Sequence, residues 1–143
     1  MHKNTFRFLF LIFISLSSVN INCGNSTKQK QDKDKLTSLL SSEKYKDLDI
    51  CGCNEEGNKI LDNTIKVSNR FKDFIGLKKN KDSSNQVKAH AKAWTKLLNS
   101  CFSKHGANMW SEIECNDLDL IEEKKEFLYN FGIQIDLGES IKL

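Results

Sequence analysis

The chain has little of what a familiar enzyme needs. Beyond residue 23 only two histidines remain, His90 and His105. There is no phosphate-cradling glycine loop, no Gly-x-Ser-x-Gly elbow and no His-Glu-x-x-His pair, so the commonest phosphoryl-transfer, acyl-transfer and metalloprotease chemistries have no foothold. Cys-x-x-Cys, the spacing of thiol–disulfide oxidoreductases, is missing. The run Asn116, Asp117, Leu118, Asp119 lacks the third oxygen ligand and the glycine of a calcium loop. These absences predict a protein that is not an enzyme and that carries no cofactor. Proline is absent altogether while Lys and Asn abound; this is a compositional bias to which no function attaches. After residue 14 no apolar run approaches the about 20 residues that a membrane-spanning helix requires.

What is present begins at the N-terminus. Lys3 and Arg7 precede the apolar run Phe8, Leu9, Phe10, Leu11, Ile12, Phe13, Ile14, and a small or polar exit leads from Ser15 to Cys23. A basic start, a short apolar core and a small-residue exit make a signal peptide over residues 1–22. Cys23 closes this stretch and precedes Gly24, Asn25 and Ser26. The arrangement resembles a bacterial lipoprotein signal, in which a cysteine becomes the first mature residue and receives lipid. The resemblance covers residues 1–23 only. It departs from the usual pattern in having Asn20, Ile21 and Asn22 before the cysteine. It implies lipidation at Cys23 and attachment to an envelope membrane; cleavage near Ser17 or Ser18, giving a soluble secreted or periplasmic protein, is the alternative. Residues 24–35 contain no apolar side chain and cannot bury enough surface to order themselves, so residues 23–35 read as a polar tether.

Lys3 and Arg7 leave with the signal, so the net charge falls from +3 to +1. Nucleic acid as a partner therefore has no support. The charge is unevenly spread: residues 66–104 carry ten Lys/Arg against two acids, and residues 105–143 carry nine acids against three Lys. Two helices of opposite charge packed on each other is the plain expectation. A basic face resting on anionic lipid headgroups is the sharper one.

Residues 36–143 predict a single domain of the all-α class: a three- to four-helix bundle stapled by disulfides. A turn-rich loop over 47–54 is expected to lead into a first helix from about Glu55 to Leu77, with Leu61, Ile65, Phe71, Phe74 and Ile75 at helical spacing. Ser83 or Ser84 caps a second helix, whose buried stripe is Val87, Ala91, Trp94, Leu97, Leu98 and Cys101 and whose end is Gly106. Lys92 and Lys96 are expected to be exposed. Asn116 or Asp117 caps a third helix that runs to Phe131 and closes at Gly132. Ile133, Ile135 and Leu137 alternate with polar residues, which predicts a short C-terminal strand or a strap over the core.

Cys51, Cys53, Cys101 and Cys115 are an even set in a small exported domain, which predicts two disulfides. Pairing Cys51 with Cys53 would close a very small, strained ring. The other two pairings both tie the Cys51–Cys53 segment to Cys101 and Cys115, and the sequence does not choose between them. A four-thiolate zinc site, or one in which His105 replaces a cysteine, is the competing use of the same residues. The acids Glu112, Glu114, Asp117, Asp119, Glu122 and Glu123 fit the favourable end of a helix dipole better than a metal cluster. The functional expectation is a lipid-anchored, non-enzymatic binding or inhibitor module, of the immunity type for example, acting on an unidentified protein partner. A metal-handling exported protein and an enzyme of unfamiliar type are the alternatives.

Overall fold

A computed structural model describes residues 42–143. The signal segment, Cys23, the polar tether and the apolar residues Leu36, Leu39 and Leu40 lie outside the described residues. The fold is a small helical bundle stapled by two disulfides, with four α-helices and no strand among the described residues. We number the helices α1 (Ile50–Ser68), α2 (Phe74–Lys79), α3 (Lys81–His105) and α4 (Leu118–Phe131). Short 3-10 turns occupy Ser42–Tyr45, Gly106–Trp110 and Ile135–Ser140.

Local side-chain chemistry places the boundaries. The Asp49 carboxylate accepts from Gly52 N at 2.7 Å and starts α1, because an N-cap acceptor satisfies one of the first four unpaired N–H groups. Cys51 and Cys53 therefore lie in the first turn of a helix, not in the expected loop. The expected continuous helix to Leu77 is also broken: α1 ends at Ser68, and Asp73 accepts from Gly76 N at 2.8 Å to begin α2. Asn80 caps α3 through Ser83 N at 3.0 Å, in place of either expected serine. Ser84 instead turns its hydroxyl back to Leu77 O and Lys78 O, at 3.1 and 3.2 Å, and closes the end of α2. Asp117 caps α4 through Leu120 N at 2.8 Å. Gly106 and Gly132 end α3 and α4 as expected, both at positive φ.

α3 is the central helix. Val87, Ala91, Trp94, Leu97 and Cys101 are buried, and Leu98 is half-buried. The buried face is wider than the expected stripe, taking in Ala89, His90 and Ala93, because α1, α2 and the C-terminal tail all pack on this helix. Lys96 is exposed, but Lys92 is half-buried at the edge of that broad face. His90 lies with Nδ1 3.2 Å from the Thr64 hydroxyl, which itself donates to Ile60 O at 2.8 Å. That hydroxyl has one proton, so Nδ1–H is the donor to it.

α1 runs from the disulfide end of the bundle to the far end, α3 returns, and α4 runs out again. α3 and α4 flank α1 and do not pack along one another. The expected pairing of a basic helix with an acidic one is therefore not what the fold does. The α4 lysines reach elsewhere: Lys124 to Asp62 of α1 at 2.7 Å, and Lys125 to Asp136 of the tail at 3.2 Å.

The tail is the strap, not the strand. With no strand beside it, its backbone bonds locally, Leu137 N to Gln134 O and Ile141 N to Gly138 O. Ile133, Ile135 and Ile141 enter the core while Leu137 stays exposed. Gly138 sits at φ +52 with Thr95 so close that a Cβ could not be accommodated, so only glycine lets the tail lie flat on α3.

The start of the described chain is held at the disulfide end. Ser100 Oγ donates to Tyr45 O at 3.1 Å, and His105 Nε2 lies 2.9 Å from Leu48 O. Tyr45 is 1% exposed. Burial, then the neighbouring Glu56 charge, push its phenol from 10 up to about 12. The raised value means that the fold favours the neutral phenol. Its contribution is whole below pH 10 and is lost as pH climbs to 12, a fall on the order of 1 kcal/mol per pH unit. Denaturation series across that window should show this drop in the wild type and lose it in Tyr45→Phe.

Candidate functional site

Because α3 and α4 straddle α1 without closing on each other, a cleft of about 150 Å³ opens between them at the disulfide end. Its floor is Gly57, Trp94, Leu97 and Ile121, its back is the Cys53–Cys101 bridge, and its rim carries Trp110, Leu118 and Lys125. Gly57 is what gives the floor its depth. A Cβ there would meet Trp94 Cζ3 at 3.2 Å and Ile121 Cδ1 at 3.4 Å. The indole and the isoleucine therefore rest directly on the backbone of α1.

Two polar chains frame the cleft. On one side Trp94 Nε1 donates to Asp136 Oδ1 at 2.7 Å, Asp136 Oδ2 holds Lys125 at 3.2 Å, and Lys125 reaches Glu122 at 2.9 Å. On the other, Asn116 fixes the connector. It is 5% exposed, donates to Met109 O and Ser111 O at 3.0 and 2.8 Å, and accepts from Asn54 Nδ2 at 3.2 Å. Asn116 is thus not a cap but the hydrogen-bonded centre of the loop that carries Trp110.

Lys125 is the amine nearest the apolar floor. Burial works against its charge, but the Glu122 hydrogen bond and the Asp136 charge outweigh burial and hold its pKa above the usual lysine value. An amine that serves as base or nucleophile needs the opposite shift. His90 and His105 are committed to Thr64 and Leu48, and neither lines the cleft.

The four domain cysteines come together at one end, as one bridge from α1 to α3 and one from α1 to the connector before α4. Cys51 pairs with Cys115 and Cys53 with Cys101, with Cα–Cα distances of 5.2 and 6.2 Å. Residues 51 and 53 are about 200° apart around a helix. One sulfur therefore faces α3 and the other the connector. Cys53 and Cys101 are buried, while Cys115 is exposed. A bridged sulfur is not the thiolate that zinc requires. His105 is engaged with a carbonyl, and among the described residues no three His, Cys, Asp or Glu side chains converge on one point. Asp117 serves as a cap and Glu122 pairs with Lys125. Cys23 lies outside the described residues.

The sequence reading did not find the cleft, Gly57, Lys125 or Asp136. A glycine in mid-helix was the available signal, since it costs about 1 kcal/mol against alanine and often marks close packing. Compared with protein-family models, curated proteins and solved structures, the chain matches none.

Proposed function

We propose that this is an exported, non-enzymatic binding or inhibitor module, lipid-anchored through Cys23 to a bacterial envelope membrane. Its cleft takes an apolar side chain of a protein partner. The observation that carries the reading is the cleft's size and lining. Small-molecule sites usually enclose about 300–1,000 Å³, whereas about 150 Å³ of apolar cavity suits a single benzene-sized group. One aromatic side chain on a partner's surface fits; a whole metabolite does not. Trp110, 53% exposed on the rim, supplies the kind of anchor that dominates protein interfaces. Two disulfides are consistent with an oxidising, extracytoplasmic address. No described helix is long and apolar enough to cross a membrane.

The test is photo-crosslinking in the native cell from position 98, on the cleft wall, with and without Trp110→Ala. Trp110 is exposed, so this change should leave stability within about 0.5 kcal/mol. It should cut the protein adduct by about 30-fold or more if the residue is a hot spot. No adduct, or one indifferent to Trp110, defeats the reading. Separately, Cys23→Ser should release the protein from membranes and abolish incorporation of labelled fatty acid. Wild-type protein that is soluble and begins near Ser18 would reject the anchor.

A further inference from the structure

We propose that the end of the bundle opposite the disulfides is a docking face for anionic lipid headgroups. Residues 69–81 join α1 to α3 there and contain Arg70, Lys72, Lys78, Lys79 and Lys81 against the single acid Asp73. All five cations are exposed. The Asp73 carboxylate, itself exposed, accepts from Gly76 N at 2.8 Å as the cap of α2 and pairs with none of the five cations. Ile75 stands among the cations, 62% exposed. Phe71 and Phe74, half-buried against the core, peg the segment to the bundle.

Helix ends attract cations for reasons of stability alone, and that accounts for Lys78 and Lys79 in the last turn of α2. It does not account for the rest. Arg70 and Lys72 lie between helices, and Lys81 is the first residue of α3, where a positive charge opposes the dipole. Nor are these charges neutralised within the fold. Lys44, Lys59, Lys124 and Lys125 all have carboxylate partners. None of the five does among the described residues; Arg70 donates to the neutral Gln86 at 3.1 Å. The acidic helix α4 packs on α1 and not along α3.

The choice of a lipid surface over an acidic protein rests on what accompanies the charge. A protein partner is met by a fitted apolar centre ringed by polar groups. Here one aliphatic side chain is exposed among four lysines and one arginine. A lipid surface asks only for clustered positive charge and a shallow apolar wedge. The geometry allows it. This face is about 28 Å from the disulfide end, the length of the 19-residue α1. The residues from Cys23 to Ser41 are enough to reach about 65 Å at full extension. The inference concerns a different face from the cleft, and its test involves neither Trp110 nor a protein partner, so either proposal can fail alone.

The test is lysine acetylation of the full chain reconstituted in vesicles, read residue by residue by mass spectrometry. Neutral phosphatidylcholine vesicles are compared with vesicles about one-third phosphatidylglycerol; in both, the chain is attached by coupling Cys23, the cysteine outside the two bridges, to a maleimide-bearing lipid. At ~0.1 M salt, labelling of Lys72, Lys78, Lys79 and Lys81 should fall by about five-fold or more on the anionic vesicles, since each near-surface cation contributes about that factor. The protection should vanish at ~0.5 M salt, and Lys104, exposed in the last turn of α3 at the disulfide end, should be unaffected. Lys78→Glu with Lys79→Glu should abolish protection at Lys72 and Lys81 with the helical circular dichroism unchanged; where that pair fails to fold, Lys78→Gln with Lys79→Gln serves. Equal labelling on both vesicles overturns the proposal. So does protection by soluble polyglutamate without protection by anionic vesicles, which would assign the face to an acidic protein.

Discussion

A chain in which Cys51, Cys53, Cys101 and Cys115 are all replaced by alanine is expected to be largely unfolded at about 37 °C, whereas either bridge alone keeps it folded. The reasoning starts from the nesting of the loops. The bridges span 64 and 48 residues, and the shorter span lies inside the longer. Closing either loop in an otherwise open chain removes denatured-state entropy worth about 4 kcal/mol. Once one bridge exists, the other closes only the 16 residues by which the spans differ, worth about 3 kcal/mol. Each single-bridge variant should therefore lose about 3 kcal/mol, and the variant lacking both about 7 kcal/mol. Against the usual 5–15 kcal/mol of a whole domain, the first loss is tolerable and the second is not. Guanidinium denaturation of the three variants measures this directly. Equal losses of about 4 kcal/mol for each bridge, adding to 8, would contradict the nested-loop argument. Exposure adds an order of events. Cys115 is exposed while Cys53 and Cys101 are in the core, so mild reductant followed by alkylation should mark Cys51 and Cys115 first.

That both bridges run from the Cys51–Cys53 segment to Cys101 and Cys115 was legible in the sequence; which cysteine takes which partner was not. The choice depends on residues 51 and 53 being helical, so that their sulfurs point to different neighbours. Asp49, Gly52 and Asn54 hid this, because the residues that cap a helix are also those that compose a loop. The same ambiguity joined α1 to α2. The apolar spacing continues from Ile65 through Phe71 to Ile75, but Asp73 captures Gly76 N and restarts the chain in a new direction. α3 was legible because period, cap composition and terminal glycine agreed over 25 residues. Its register was right, but its starting cap was misassigned and its buried face is wider than the stripe, which leaves Lys92 half-buried. The cleft was not legible at all. It is assembled by five segments, and one of its framing bonds joins Trp94 to Asp136, 42 residues away. No local pattern reports such a meeting, nor the fact that α1 keeps the basic and acidic helices apart.

Trp94→Ala should be the most damaging single change outside the cysteines, costing about 3–5 kcal/mol. The side chain is 3% exposed, rests on Gly57 and is part of the central core cluster. Helices on either side are held by disulfides and cannot collapse freely into the space, which places the cost toward the upper end of that range. A second component is separable. Trp94→Phe keeps most of the apolar volume and removes only the 2.7 Å bond to Asp136. That carboxylate is about half exposed and still paired with Lys125, so the loss should be about 0.5–1.5 kcal/mol. The phenylalanine variant should nevertheless loosen the tail, because the Trp94–Asp136 bond ties the tail to α3. Hydrogen exchange at Leu137 N and Ile141 N, both bonded within the tail, should rise in Trp94→Phe while the centre of α3 stays protected. The alanine variant leaves an apolar hole continuous with the existing cleft. Such a hole binds small aromatics, and any ligand of the folded state alone raises stability by mass action. Indole should therefore restore part of the loss in Trp94→Ala. A Trp94→Ala protein as stable as wild type, or one whose melting temperature ignores indole, would mean that the cleft floor is not built as described.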